Sequence, residues 1–203
     1  MVVLPLWREG LFMVQFLLST LLSVSAAQAK DIRPLFDALA DSGARYEIVG
    51  TVCEQVAKLN LEQDYPAPDY YVVTGIYYGN KKHVIGELDV VVFKSSDNKA
   101  VLVGEVKCWT NLSSARSKAM DQRQRFKAAL SNGGGLIMGC TSQQTGCSFS
   151  KKNFKAVEKF VSISQDGGEK RGFDMTLGYS LEEMMVLREQ LMQCQQRGEC
   201  ERP

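Results

Sequence analysis

The stretch Gly86–Trp109, GELDVVVFKSSDNKAVLVGEVKCW, constrains the fold more tightly than any other part of the chain. It reads as two apolar strands joined by a polar turn over 95–98, with charged residues set inside the apolar runs. Glu87 and Asp89 interrupt the first strand, and Glu105 and Lys107 interrupt the second. Apolar strands are normally buried, and a buried carboxylate is costly unless it is paired, hydrogen-bonded or bound to metal. Side chains at i and i+2 share one face of a strand. Glu105 therefore points with Lys107, and Glu87 with Asp89. If the strands pair as a hairpin, two or three carboxylates and one ammonium converge. That is the constellation of a hard, oxygen-liganded divalent cation with a lysine beside it. The competing reading is an ion pair on an edge strand with no chemistry.

Periodicity and breakers place the other elements. A short helix is expected over 31–41. A second is expected over 45–61, with Tyr46, Val49, Val52, Val56 and Leu59 as its apolar stripe and Gly50 inside it. Pro66 and Pro68 end that helix, and strands follow over 70–78, 84–93 and 100–109. Three strands joined by short turns predict an antiparallel meander. A strong helix over 112–130 comes next, capped by Asn111, Ser113 or Ser114, and then a strand over 135–141. Because a strand–helix–strand crossover favours parallel neighbours, this fourth strand is expected beside the third. Further on, a helix over 150–159, a short strand over 160–164 and a loop over 166–172 are expected. A final helix over 181–195 opens on a capping box, Ser180 with Glu183.

Residues 1–29 stand apart. A short segment carrying Arg8 precedes the apolar run 11–26, and Ala27-Gln28-Ala29 supplies an A-x-A site. This is the pattern of a secretory signal peptide, with the mature chain starting at Lys30; an uncleaved anchor is the alternative. The rest, 30–203, is expected to form one domain, with a core over about 45–141 and an extension over 142–203. Export agrees with six cysteines, all in the mature part, which suggest up to three disulfides. Cys140 and Cys147 bracket a short loop, as do Cys194 and Cys200, which would leave Cys53 with Cys108; spacing alone does not choose among the connectivities. A zinc site is disfavoured, because there is no C-x2-C pair and His83 is the single histidine.

Net charge is only +1, but its distribution is uneven. Between 116 and 159 nine basic residues face two acidic ones. Arg116, Lys118, Arg123, Arg125 and Lys127 all fall on the helix after the second charged strand. Clustered basic residues are the footprint of phosphate-backbone binding, although a solvated helix face gives the same pattern. The single histidine argues against histidine-metal nucleases, zinc peptidases and two-histidine ribonucleases. There is no G-x-S-x-G, P-loop or G-x-G-x-x-G, and the Gly133–Gly135 run precedes a strand instead of a helix.

Asp89, fifteen intervening residues and then Glu105-Val106-Lys107 resembles the D…ExK form of the PD-(D/E)XK nuclease superfamily. The wording Gly86-Glu87-Leu88-Asp89 with Gly104-Glu105-Val106-Lys107 is similar to that of nuclease-related-domain and Holliday-junction-resolvase-like members. Leu88 stands where the superfamily's proline would be. The motif covers about two dozen residues, and the element order extends the likeness to roughly half the chain. The resemblance implies an α/β fold: a restriction-endonuclease-like αβββαβ core with a mixed four-stranded sheet flanked by helices, followed by a C-terminal helical extension. It implies that Asp89 and Glu105, with the carbonyl of Val106, bind Mg2+ or Mn2+, and that Lys107 is catalytic. Glu54 on the preceding helix, Glu87 and Gln122 are implied as supporting residues. The expected function is that of an exported metal-dependent nuclease, periplasmic or secreted, cutting DNA in preference to RNA. No stable membrane association is expected once the signal peptide is gone. The alternative is an exported, disulfide-stabilised binding protein that keeps a nuclease-like fold without activity.

Overall fold

The computed structural model describes residues 29–132, 135–140 and 147–203. Almost all of the expected signal peptide, two glycines of the 133–135 turn and the 141–146 loop lie outside the described residues. In chain order the elements are α1 (Arg33–Leu39), α2 (Thr51–Asp64), β1 (Tyr70–Gly79), β2 (Val84–Lys94), β3 (Lys99–Lys107) and α3 (Leu112–Ser131). They continue with β4 (Ile137–Cys140), β5 (Ser148–Phe149), β6 (Lys159–Ser164), β7 (Met175–Thr176) and α4 (Leu181–Arg197). The chain is an α/β protein with a mixed sheet flanked by helices.

The sheet has seven strands, not four, in the order β5-β4-β1-β2-β3-β6-β7. The meander β1-β2-β3 is antiparallel as expected. The fourth strand is not beside the third: β4 pairs antiparallel with β1 on the other side of the meander. The parallel place beside β3 is taken by β6, with Leu102 opposite Lys159 and Lys107 opposite Ser164. Glycine explains part of this arrangement. Tyr77 of β1 lies opposite Gly139 of β4, where an added Cβ would sit 2.6 Å from the tyrosine oxygen. On the other flank of β1, Tyr78 lies opposite Gly86, where a Cβ would fall 2.5 Å from the hydroxyl. Each neighbour of β1 thus leaves side-chain space for a tyrosine ring.

Both faces of the sheet are covered. Val90, Val92, Leu102 and Val106 pack with Val52, Val56 and Leu61 of α2 and with Met184, Leu187 and Leu191 of α4. Val91, Phe93 and Val103 pack on the opposite side with Phe126 of α3 and with Phe154. Two-sided burial is why β2 and β3 read as continuous apolar runs instead of alternating ones.

Three local expectations differ. The second helix begins at Thr51, not near 45, with Gly50 as its N-cap. The turn before it is held by buried Tyr46, whose hydroxyl donates to Leu39 O at 3.1 Å and meets Ser42 Oγ at 2.7 Å. Val49, expected in the apolar stripe, is left exposed. Second, the helix expected over 150–159 is a single 3-10 turn, Lys151–Phe154. Asn153 takes the Ser150 N–H and hydroxyl onto its side chain, and Phe154 is fixed against Phe93, Phe126 and Phe149. The Glu158 N–H then donates to Val101 O, drawing the chain into the sheet. Third, the C-terminal extension is not helical alone, since it adds β6 and β7 to the sheet.

Three disulfides, Cys53–Cys108, Cys140–Cys147 and Cys194–Cys200, use all six cysteines. Such usage is consistent with an oxidising compartment. Among the described residues, no helix is long and apolar enough to cross a membrane.

Candidate active site

The site lies where β2 and β3 part. Their pairing runs up to Val90 opposite Gly104. Gly104 keeps this junction tight, because a Cβ there would lie 2.7 Å from Val90 Cγ1. Beyond it the Asp89 carboxylate enters the gap. Its Oδ2 accepts the Val106 N–H at 2.7 Å and the Lys107 ammonium at 2.6 Å. The same ammonium donates to Val106 O at 2.9 Å and stands 3.8 Å from Glu105 Oε2. All three charged side chains are nearly out of solvent, at 9% exposure for Asp89, 3% for Glu105 and 11% for Lys107. The hairpin therefore brings together the three residues that the sequence singled out.

Glu105 is the anomaly. Neither of its carboxylate oxygens has a hydrogen-bond partner, although both are buried. Burial first, and then the Asp89 charge, push its carboxyl up to about 9, against the opposing pull of Lys107, Arg123 and Arg125. Glu54 reaches the same cluster from the first turn of α2. Burial, followed by Asp89 and Glu87, pushes it up to about 8, with Lys107 opposing. The Tyr78 hydroxyl is raised to about 12 by burial and then by Glu105, with Arg125 opposing. Carboxylates crowded out of water with too few cations are held in their protonated form.

The expected supporting residues divide. Glu54 and Glu87 both belong to this electrostatic cluster. Gln122 is half-buried on α3, and its Oε1 is buried without a partner. Among the basic residues, Arg116 donates to Gly172 O at 2.6 Å, and Arg123 pairs with Asp174 at 3.1 Å. Both thus hold the loop that leads into β7. Lys127 lies 4.3 Å from the centre of the Phe160 ring. Lys118, Arg125 and Lys127 are exposed.

Sequence reasoning missed Tyr78. Its signal was a register: the tyrosine near the end of β1 lies opposite Gly86 of the charged strand. It also missed Ser162, which lies opposite Glu105 in β6, is buried, and donates its N–H and hydroxyl to Asp174 at 2.7 and 2.8 Å.

The donors present suit a hard cation, since two buried carboxylate oxygens of Glu105 are unsatisfied beside Asp89. The Lys107 ammonium meanwhile touches Asp89 Oδ2 and Val106 O, the oxygens such an ion would share. Among the described residues, no group of three or more His, Cys, Asp or Glu side chains is arranged to hold a metal. Comparison of the chain with protein-family models, curated proteins and solved structures finds no match.

Proposed function

We propose that the chain is an exported, divalent-metal-dependent nuclease built on a restriction-endonuclease-like core of the PD-(D/E)XK kind, with DNA as the substrate class assigned first. One observation carries this reading: a buried Glu105 carboxylate without a hydrogen-bond partner, set against the Asp89–Lys107 pair in the gap between β2 and β3. Asp89, Glu105 and the carbonyl of Val106 would hold Mg2+ or Mn2+, with Glu54 and Glu87 as supporting carboxyl groups of the same cluster. Such an ion lowers the pKa of a water molecule and neutralises charge on the scissile phosphate. Lys107 is held by Asp89 and Val106 at hydrogen-bond distance, so its ammonium is already aimed into the gap. There it orients the attacking water or stabilises the charge that develops on phosphorus-bound oxygen. Exposed Lys118, Arg125 and Lys127 contact the phosphate backbone, while Arg116 and Arg123 shape the neighbouring loop. Export to the periplasm or beyond rests on the signal-peptide pattern and on the three disulfides.

The test uses oxidised protein from Lys30 onward, incubated with plasmid, linear duplex, single strands and RNA in Mg2+, Mn2+ or EDTA. Metal-dependent cleavage that disappears in Lys107→Ala supports the proposal. Undiminished cleavage in a folded Lys107→Ala removes the lysine from the mechanism.

A second reading, an exported disulfide-stabilised binding protein without activity, is favoured by one observation. The Lys107 ammonium already pairs with Asp89 at 2.6 Å. Calorimetry separates the two readings. A nuclease binds Mn2+ and loses that binding in Asp89→Ala, whereas the inert protein shows no Mn2+ heat.

A further inference from the structure

Trp109 lies two residues beyond Lys107, so its Cα is within about 7 Å of the lysine's along the chain. It is 42% exposed and, among the described residues, the one aromatic ring among the exposed large hydrophobic side chains. Its neighbours Cys108 and Val106 pack into the core, but the indole belongs to neither core cluster. Its backbone, by contrast, is pinned. Cys108 is disulfide-bonded to Cys53 of α2. The Trp109 carbonyl accepts from the side chain of buried Gln165 at 2.7 Å. Asn111 then caps α3 by accepting the Ser114 N–H at 3.0 Å.

A singly exposed Val or Leu needs no explanation. An indole held on a cross-linked segment beside a candidate phosphate-cleaving lysine is a different object. It offers a large flat face at little conformational-entropy cost. Aromatic faces of this kind stack on bases in single strands without regard to sequence, whereas the bases of a duplex are already stacked on each other.

We propose that Trp109 is a stacking platform for an unpaired base one or two nucleotides from the phosphate held at Lys107. This rests on the nuclease reading above and refines it. The substrate class becomes single-stranded nucleic acid, or duplex with unpaired bases at the cut, in preference to uniform duplex.

The mature chain makes the test direct. The sequence has two tryptophans, and the other, Trp7, lies before Lys30. Tryptophan fluorescence of oxidised protein from Lys30 onward, excited beyond the tyrosine absorption band, therefore reports Trp109 alone. The protein is titrated in EDTA and low salt, where no cleavage occurs, with oligothymidylate and separately with blunt duplex of equal length. Oligothymidylate is expected to quench the emission, and duplex to leave it nearly unchanged. By anisotropy of labelled oligothymidylate, Trp109→Ala is expected to weaken binding roughly 5- to 150-fold, with Trp109→Phe in between. Absence of quenching by oligothymidylate, equal quenching by duplex, or unchanged affinity in Trp109→Ala each overturns the platform. The two proposals fail separately. Cleavage in Mg2+ or Mn2+ with an indifferent Trp109 leaves the nuclease and removes the platform. Quenching without cleavage in either metal does the reverse.

Discussion

Glu105→Gln is expected to stabilise the metal-free protein at neutral pH. The folded carboxyl is pushed up to about 9 from an ordinary 4.5, first by burial and then by Asp89. Its folded value is raised, so between those limits the native state holds a proton that the unfolded chain releases. The stability from that proton is complete below about pH 4.5 and is lost as pH rises toward about 9. One proton corresponds to a slope of at most about 1.4 kcal/mol per pH unit. From pH 5 to pH 7 the ceiling is therefore about 2.7 kcal/mol, and sharing of protons with Glu54 brings the expected loss to about 1–2 kcal/mol. The assay is urea unfolding in EDTA from pH 5 to pH 9, read as the difference between wild type and Glu105→Gln. The difference should grow with pH in favour of the variant. Mn2+ should then restore the wild type, by about 2.7 kcal/mol at a hundred times its dissociation constant, and leave the variant unmoved. A difference that stays flat across the pH range refutes the claim that Glu105 is buried without a hydrogen-bond partner.

Other expectations follow from single contacts. Replacing Cys53 and Cys108 together by Ser opens a loop of 55 residues, and the chain-entropy relation gives a loss of about 4 kcal/mol. That is on the order of 10 °C in Tm for a domain of this size, measured by calorimetry on oxidised protein. Gly104→Ala puts a Cβ 2.7 Å from Val90 Cγ1 and 3.2 Å from Ile163 Cδ1, and should cost about 1–3 kcal/mol in urea unfolding. Ser180→Ala removes the acceptor of the Glu183 N–H at the start of α4 and should cost about 1 kcal/mol in the same assay.

Elements with a local cause were legible in the sequence. The meander came from short apolar strands joined by polar turns, and the capping box at Ser180 and Glu183 is present as its residues implied. The position of β4 had no local signal. It depends on Gly139 leaving room for Tyr77, a contact across 62 residues that a crossover rule does not see. Asp89, Glu105 and Lys107 could be grouped by strand period and hairpin pairing. Their exact partners could not. The Val106 N–H reaches Asp89 where the β2–β3 ladder is open, on the Asp89 side of the Val90–Gly104 pair, and the approach of Glu54 depends on how α2 docks.

The balance between the two functional readings turns on what the buried charges do for the fold. Lys107 and Asp89 could be retained as a hydrogen-bonded pair, since the ammonium has two acceptors and Asp89 Oδ2 two donors. Glu105 has no such use. It occupies a strand buried on both faces, its oxygens have no hydrogen-bond partner, and burial, followed by the Asp89 charge, favours its protonated form. An apolar or amide side chain at that position would give a more stable protein. Under the proposed function, a group that weakens the fold where it stands, beside a lysine aimed into the same gap, would be explained by a ligand that needs its oxygens. A divalent cation would meet that need, whereas the reading as an inert binding protein assigns Glu105 no role.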